Sequence, residues 1–248
     1  MPDTEVRHVF IGDVHGCLDE LEALLKKLQP RPSDRLVFVG DLVAKGPDSA
    51  GVVARVRELG AVCVRGNHDE AVLRVRRAHQ QGIDVPRVKK THLNVAARLR
   101  EADWLWLEQL PLFLRFPELA SIVVHAGVVP GKPLERQHPD DLMTMRTIRP
   151  QGTASPRLED GQRWAPLYPG PAHVIFGHDA ISGLQRESFA TGIDTGCVYG
   201  RELTALIVSS LAGPSARFES SLADPKARFD GSQLVQVPAR RAYRELDR

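Results

Sequence analysis

One pattern constrains the fold of this chain more than any other: an apolar, β-branched run that ends at a glycine and at a side chain able to bind metal. Its first copy is residues 9–16, Val-Phe-Ile-Gly-Asp-Val-His-Gly. The apolar part predicts a short buried strand, and the glycines allow a sharp turn where it ends. Side chains two residues apart on an extended segment point the same way, so Asp13 and His15 are expected to project together. A carboxylate and an imidazole on one side are half of a metal site.

Four later segments repeat the pattern, which argues against a simple Gly-Asp turn with an incidental histidine. They are residues 35–41, 61–69, 121–127 and 173–179. The side chains at or near their ends are Asp41, Asn67 with His68, His125 and His178. Chance accounts for one or two such coincidences, but hardly for five.

The segments between the first three strands have helical periodicity. Leucines recur at helical spacing within residues 18–28, and residues 49–59 form a second amphipathic pattern. The order β-α-β-α-β predicts parallel strands joined by helical crossovers. Ligands of such sheets collect outside the carboxyl ends of the strands, where Asp13, Asp41 and Asn67 are expected to lie.

The later part of the chain changes character. Residues 70–110 have a helical pattern with a polar break at 82–90. Within it, an expected core stripe comprises Trp104, Leu105, Leu107 and Leu110. Short strands are predicted at residues 112–116, 121–125, 174–177, 191–194 and 203–209. These strands and their turns predict a second, mixed sheet packed on the first.

Length favours a single domain over residues 1–248, with a core of about residues 7–210. Residues 211–230 predict a loop and residues 233–237 an edge strand. The charged end of the chain is expected to be a frayed tail.

Composition excludes several classes of protein. Lys and Arg number 33 against 31 Asp and Glu, so the net charge of +2 gives no general attraction to nucleic acid or membrane. A signal peptide and a membrane span are not expected, since no apolar run approaches the required length. The three cysteines lack paired spacing and are interpreted as free thiols in a reducing cytoplasm: Cys17, Cys63 and Cys197.

Six candidate ligands stand at the ends of these strands, and none is a thiolate: Asp13, His15, Asp41, Asn67, His125 and His178. Oxygen and imidazole donors suit manganese, iron or zinc. Six side chains are too many for one tetrahedral ion, but they suit two ions if one carboxylate bridges. Two divalent ions and two aspartates leave a charge of about +2, which attracts phosphate.

Paired ions roughly 3.5–4 Å apart would hold a hydroxide between them and clamp phosphoryl oxygens during in-line displacement. That hydroxide would be the nucleophile, so no covalent enzyme intermediate is required. His68 follows Asn67 and is expected to point elsewhere, which leaves its imidazole free to act as the general acid that protonates the departing oxygen, or at least to stabilise its charge. A histidine beside an aspartate is otherwise commonly a surface pair.

The motifs also occur in a recognisable order: Gly12–Gly16, Gly40–Pro47, Gly66–Asp69, His125–Gly127, Thr144–Arg146, Trp164–Ala165, Phe176–Ala180 and Ile193–Gly200. This series resembles the phosphoprotein-phosphatase branch of the binuclear metallophosphoesterases. Within that branch it is similar to ApaH-like phosphatases, relatives of symmetrical diadenosine tetraphosphate hydrolase. The resemblance extends from about residue 7 to residue 208.

The resemblance implies an α/β fold, a calcineurin-like metallophosphoesterase β-sandwich of two mixed sheets flanked by helices. It assigns two divalent ions, one held by Asp13, His15 and Asp41, and the other by Asp41, Asn67, His125 and His178. Manganese is the first expectation for both, with iron, zinc and cobalt as alternatives.

Two differences affect the expected substrate. Protein Ser/Thr phosphatases of this branch carry Asp-Arg-Gly after the second motif, whereas this chain has Ala44, Lys45 and Gly46. The acid that would orient the catalytic histidine is missing, and a point charge replaces arginine's bidentate fork. Position 69 is Asp rather than Glu. Both differences favour the dinucleotide hydrolases and leave open what orients His68.

Four residues are candidates for substrate binding, namely Lys45, Arg65, Arg146 and Tyr199. The three cations lie in or beside the motifs and are candidate phosphate contacts, although an exposed cation is commonly just solvated. Tyr199, like Trp164, could stack on adenine or cover the core instead.

Other charged residues carry weaker signals. A basic cluster within residues 74–90 is interpreted as a solvated helix face, with a polyphosphate or RNA track as the alternative. Asp194 is a candidate partner of the metal ligands. Five histidines have no ligand context: His8, His79, His92, His138 and His173.

These observations predict a cytoplasmic, metal-dependent phosphohydrolase that cleaves diadenosine tetraphosphate symmetrically to two ADP. The enzyme alternatives are a protein Ser/Thr or Tyr phosphatase, a polyphosphate hydrolase and an RNA cap-removing enzyme. The non-enzyme alternative is a catalytically dead phosphate-binding module. Expected partners are small-molecule nucleotides or phosphorylated substrates. Binding of nucleic acid is expected only for capped RNA, and binding to a membrane is not expected. The sequence does not predict the oligomeric state.

Overall fold

The computed structural model describes residues 4–85, 88–212 and 229–246. Six α-helices lie wholly within these ranges: α1 (Leu18–Leu28), α2 (Ser49–Glu58), α3 (Asn67–Gln81), α4 (Lys90–Ala96), α5 (Glu101–Glu108) and α6 (Pro139–Thr144). The strands there are β1 (Thr4–Ile11), β2 (Arg35–Phe38), β3 (Val62–Cys63), β4 (Phe113–Phe116), β5 (Ser121–Val124), β6 (Thr147–Ile148), β7 (Ala154–Ser155), β8 (Gln162–Arg163), β9 (His173–Phe176), β10 (Gln185–Glu187), β11 (Ala190–Gly192), β12 (Glu202–Ala212) and β13 (Gln233–Pro238).

The first sheet has the strand order β13-β12-β1-β2-β3. Strands β1, β2 and β3 are parallel, and α1 and α2 connect them, as the periodicity predicts. Strand β12 runs antiparallel to β1, with Val9 opposite Ile207. Strand β13 pairs antiparallel with β12 and lies at the sheet edge.

The second sheet has the order β10-β11-β9-β5-β4. Its three inner strands are parallel, and β10 and β4 run antiparallel at the two edges. A small antiparallel sheet, β7-β6-β8, follows α6. The predicted fold of two mixed sheets flanked by helices is therefore confirmed. The strand predicted at residues 203–209 was placed in the wrong sheet, because β12 pairs with β1 in the first sheet.

Strand β1 shows how alternation builds the sandwich. Val9 and Ile11 face the helical layer, where they share a buried cluster with the leucines of α1. Phe10 points the other way, into a cluster between the sheets that includes Val123 and Ile175 of the second sheet. Successive side chains of a strand face opposite sides, so this one strand contributes to both layers.

Three expectations about apolar and terminal residues need correction. Trp104, Leu107 and Leu110 are buried as expected, but Leu105 is 50% exposed. The loop predicted for residues 211–230 begins later, because β12 continues to Ala212; residues 213–228 lie outside the described residues. A third correction concerns the chain end.

Residues 239–246 pack on the fold instead of fraying. The Tyr243 N–H donates to the carbonyl of Val198 at 2.9 Å, and the Ala239 N–H donates to Arg201 at 2.7 Å. The Tyr243 hydroxyl donates to Glu20 in α1 at 2.9 Å. The end of the chain is thus held next to the loop 196–201.

Helices that could cross a membrane are absent from the described ranges, because none there is long and apolar enough.

Candidate active site

Five strands from both sheets end at one edge of the sandwich, where the loops that leave them carry polar side chains. The six candidate ligands follow in chain order: Asp13 and His15 after β1, Asp41 after β2, Asn67 after β3, His125 after β5 and His178 after β9. Parallel strands bring their carboxyl ends together, and two parallel sets meet here. Four of these side chains are at most 3% exposed: Asp13, His15, Asp41 and His125.

The carboxylate of Asp41 lies at the centre of this group. Its Oδ2 is 3.5 Å from Nε2 of His15 and 3.4 Å from Nε2 of His125. Donor atoms about 2.0–2.2 Å from one ion lie roughly 3.0–3.5 Å from each other. Among the described residues, three sets of candidate ligand atoms lie within 4.8 Å of one another, and two of the three contain Asp41: His15, Asp41 and His68, and Asp41, His125 and His178.

The ring orientations show which nitrogens are available to a cation. Nδ1 of His15 lies 3.0 Å from the carbonyl of Val43, and Nδ1 of His125 lies 2.8 Å from that of Val39. Carbonyl oxygens only accept, so each Nδ1 carries a proton and donates it. In the neutral rings, each Nε2 therefore presents a lone pair toward Asp41.

His178 and Asn67 complete the arrangement. Nε2 of His178 donates to the carbonyl of Thr144 at 3.0 Å, which leaves Nδ1 as the acceptor. This Nδ1 lies 3.0 Å from Oδ1 of Asn67, and Nε2 of His125 lies 3.1 Å from the same oxygen. With His125 neutral, three acceptors face one another at close range, an arrangement that a proton on His125 or a cation between them would stabilise.

Charge in the buried cluster is strongly coupled. Burial alone would raise the pKa of Asp41, but His125, His68 and His15 together hold it well below its usual range. Burial alone would lower the pKa of His125, but the Asp41 carboxylate raises it to about 10. Burial and the neighbouring Asp194 raise the pKa of Asp13. Metal binding to such groups releases protons, so affinity depends on pH.

Lys45 places a cation inside the cluster. Its Nζ lies 2.8 Å from Nε2 of His15 and 5.2 Å from the centre of the Tyr199 ring. Burial and this ammonium lower the pKa of His15 to about 3, so the ring is neutral and accepts from Lys45. The ammonium stands where a metal ion bound to His15 would lie.

The loops hold these positions through unusual backbone conformations. Five site residues adopt positive φ without being glycine: His15, Asp41, Ala44, Lys45 and His178. Such conformations cost energy and concentrate at functional sites. Two glycines also allow close approach, because a Cβ on Gly66 would lie 2.2 Å from Asp41 Oδ1, and one on Gly177 would lie 2.0 Å from Asp13 Oδ1.

Asp69 ties the second and third loops together. Its fully buried carboxylate accepts from the backbone N–H groups of Asp41 at 2.9 Å, Leu42 at 3.1 Å, Val43 at 3.3 Å and Gly66 at 3.0 Å. Four amide donors on one carboxylate fix where the Asp41 side chain begins. In the sequence, position 69 stood out only because it is Asp rather than Glu, and its contacts with the two loops were not predicted.

His68 lies in the first turn of α3 and is held by His92, a residue to which the sequence motifs assign no role. Its Nδ1 lies 2.8 Å from Nε2 of His92, and Nδ1 of His92 accepts from the backbone N–H of Lys89 at 3.2 Å. His92 is 24 residues from His68 and lies on a different helix. No local motif connects the two, which is why the pair could not be predicted.

A cleft of about 360 Å³ opens beside the cluster. Three of the four substrate-binding candidates line it: Lys45, Arg146 and Tyr199. Lys89, a member of the basic cluster within residues 74–90, lines the cleft as well, and so does Leu246, which the sequence did not indicate. Asp194 lines it too, where its charge acts on Asp13.

Arg65, Trp164 and three arginines of the basic cluster make their contacts elsewhere. Arg65 pairs with Glu70 at 3.1 Å and donates to the carbonyl of Glu108 at 2.8 Å. Trp164 is 2% exposed and donates to the carbonyl of Ala126, so the stacking alternative for this residue is wrong. In the basic cluster, three arginines pair with acids: Arg74 and Arg77 with Glu70, and Arg76 with Glu101 and Glu108. Arg87 lies outside the described residues.

Comparison with known proteins gives a consistent picture. A family model described as calcineurin-like phosphoesterase matches residues 6–204. The asymmetrical bis(5'-nucleosyl)-tetraphosphatase PrpE of Oceanobacillus iheyensis is 31% identical over 222 residues, which cover 79% of this chain and 86% of the relative. The symmetrical bis(5'-nucleosyl)-tetraphosphatase of Shewanella putrefaciens is 32% identical over 190 residues, covering 72% and 67%.

A solved structure agrees over almost the whole chain. It is a crystal structure described, provisionally, as a diadenosine tetraphosphatase. It is 36% identical, has a TM-score of 0.76, and the match covers 94% of this chain and 93% of that one. Together these matches confirm the resemblance drawn from the motifs.

The substitution Asp69→Asn is expected to destabilise the protein and weaken metal binding. An amide has one accepting oxygen and turns its NH₂ toward backbone donors, at a cost of about 1–3 kcal/mol. Displacing the Asp41 loop should also lower metal affinity by about 10- to 100-fold. Urea denaturation and metal titration measure the two effects. Asp84→Asn, at an exposed position, is the control; an Asp69 variant that behaves like it would contradict the assigned role.

Proposed function

This chain belongs to the calcineurin-like phosphoesterase family, and we propose that it hydrolyses dinucleoside polyphosphates. Membership makes it a metal-dependent hydrolase of phosphoester or phosphoanhydride bonds. The substrate class is taken from relatives named as tetraphosphatases. The observation that carries the proposal is the cleft, where acceptors clustered around Asp41 stand beside Lys45, Arg146 and Tyr199.

Two divalent ions are the proposed cofactor, because Asp41 belongs to both groups of clustered acceptors. Asp13, His15 and Asp41 would hold one ion; Asp41, Asn67, His125 and His178 would hold the other. Bound ions offset the charge of a phosphate chain and make water a stronger nucleophile. The oxygen and imidazole donors favour manganese, with iron, zinc and cobalt as alternatives.

The remaining cleft residues are assigned by their chemistry. Arg146 is held by carbonyls of Pro156 at 2.8 Å and His178 at 3.2 Å, and it would bind phosphoryl oxygen together with Lys45. Tyr199 would stack on a nucleobase. His68 would act on the leaving oxygen, either by giving it a proton or by donating a hydrogen bond from its imidazole. Arg65 drops out of the phosphate-binding set, since its contacts are made away from the cleft.

A second cavity adjoins the cleft and suits the distant half of a dinucleotide. Both cavities share Lys45, Lys89 and Tyr199, and the second adds Arg244 from the chain end. Glu245 and Thr91 complete its lining, so three cations outnumber one acid. A polyphosphate chain that extends past the metal centre would enter this positive region.

The proposed cleavage is symmetrical and gives two nucleoside diphosphates. Relatives with both names occur, one asymmetrical and one symmetrical, so the products must decide. A cytoplasmic location is proposed as well, supported by three buried cysteines with free thiols.

Incubation with diadenosine tetraphosphate and manganese is expected to release ADP as the sole nucleotide product. Chromatography of the products and metal omission test this, with Asp41→Asn as a variant lacking the shared ligand. AMP and ATP in equal amounts would contradict symmetrical cleavage. Turnover of p-nitrophenyl phosphate without any turnover of the dinucleotide would contradict the substrate class.

Arg244→Ala is expected to raise KM for diadenosine tetraphosphate about tenfold, the effect of losing one charge-assisted contact. Turnover of p-nitrophenyl phosphate, which has no second half, should stay unchanged. Arg241→Ala removes the same charge three residues earlier, where the side chain packs over Tyr243, and serves as the matched control. Equal effects of both substitutions would contradict the assignment of the second cavity.

A further inference from the structure

His68 and His92 form a buried pair at the edge of the cleft. The rings lie with centroids 5.0 Å apart, and the bridging nitrogens are 2.8 Å apart. Their exposed fractions are 8% and 6%. Of two nitrogens in such contact, one must donate and the other accept. The hydrogen bond at the other nitrogen of His92 decides which ring donates and which accepts.

The outer contact is a backbone N–H, and its direction is fixed. The amide of Lys89 donates to Nδ1 of His92, and a peptide N–H cannot accept. The proton of neutral His92 is therefore on Nε2, from which it donates to Nδ1 of His68. The proton of His68 must then be on Nε2, the nitrogen that remains for the cleft that this residue lines.

The start of α4 holds His92 in this orientation. Lys89 is the N-cap residue of α4, and His92 at the third helical position reaches back to its N–H. This is the position that Glu or Gln takes in a capping box. Because the contact also caps the helix end at Lys89, the imidazole cannot turn without breaking the cap.

We propose that His92 is the positioning residue for His68 and makes its Nε2–H a hydrogen-bond donor to the leaving oxygen. The proposal rests on the proposed function, in which His68 faces the substrate. In this tautomer Nε2 has no lone pair, so His68 is a donor and not a third ligand beside His15 and Asp41. The resemblance to protein phosphatases implies an aspartate at position 44 for this role, where this chain has Ala, and here the contact with His92 orients His68.

The donor role favours leaving groups that are stable as anions. As the oxygen of an attacking water bonds to phosphorus, the bond to the leaving oxygen breaks and its electron pair stays on that oxygen. The water loses its proton to solvent, and His68 keeps its own proton while hydrogen-bonding the departing oxygen. A terminal phosphate, with a second pKa of about 6, departs as an anion at neutral pH. A serine alkoxide would need full protonation, so phosphoanhydrides are favoured over phosphoserine.

Nitrogen-15 NMR of the histidine rings tests the hydrogen-bond direction without any substrate. The wild-type protein is expected to show His68 as the Nε2–H tautomer. His92→Ala should give a mixture of tautomers, and His92→Gln should keep the wild-type form because a glutamine amide can donate from the place of Nε2. An Nδ1–H signal for wild-type His68, or an unchanged spectrum in His92→Ala, would overturn the proposal.

Kinetics test the consequence for catalysis. His92→Ala should lower kcat about 10- to 100-fold, and the His68→Ala/His92→Ala double variant should be no slower than His68→Ala, since both changes remove one function. His92→Gln should recover most of the loss. His79→Ala, an exposed histidine of α3, should have no effect. Multiplicative losses in the double variant would overturn the positioning role.

Substrate comparison separates this proposal from the proposed function. Wild-type turnover of diadenosine tetraphosphate tests the function by itself. Phosphoserine should be turned over far more slowly than p-nitrophenyl phosphate by the same protein, because the alkoxide is the poorer leaving group. Equal rates on these two monoesters would overturn the leaving-group preference, whatever the result with the dinucleotide.

Discussion

The crowding of electron pairs around Asp41 is the constraint on which the rest of the structure depends. Ring nitrogens of His15 and His125 and the amide oxygen of Asn67 point toward one small volume, and a buried carboxylate stands at its centre. Such an arrangement is unfavourable without positive charge. In this chain the charge comes from protonated imidazole and the ammonium of Lys45, and the same positions suit divalent ions. The fold therefore holds these atoms in an arrangement that positive charge stabilises.

Groups outside the cluster of candidate ligands hold its atoms in this arrangement. The carboxylate of Asp69 gathers four backbone N–H groups from two loops, and carbonyls of Val39 and Val43 fix two imidazoles. Glycines at 66 and 177 let backbone approach the aspartates. Rigid support of this kind is what keeps ligand atoms at useful distances. The sandwich supplies it because two parallel strand sets end at one edge.

The sequence predicted that the candidate ligands lie together, because their signal is local. An apolar run followed by glycine and a donor predicts both a strand and what stands at its end, as at Asp13 and Asp41. It failed where tertiary packing decides. His92 had no motif, since its partner lies on another helix. Arg65 was attractive by position, but Glu70 binds it. The charged chain end was expected to fray, yet it carries Arg244 to a cavity beside the metal site.

Anomalous diffraction from crystals grown with manganese would test the central claim most directly. Two peaks roughly 3.5–4 Å apart are predicted, with Asp41 bound to both ions and the imidazole of His68 bound to neither. A single peak, peaks away from the ends of β1, β2, β5 and β9, or a bond from His68 to an ion would contradict the account.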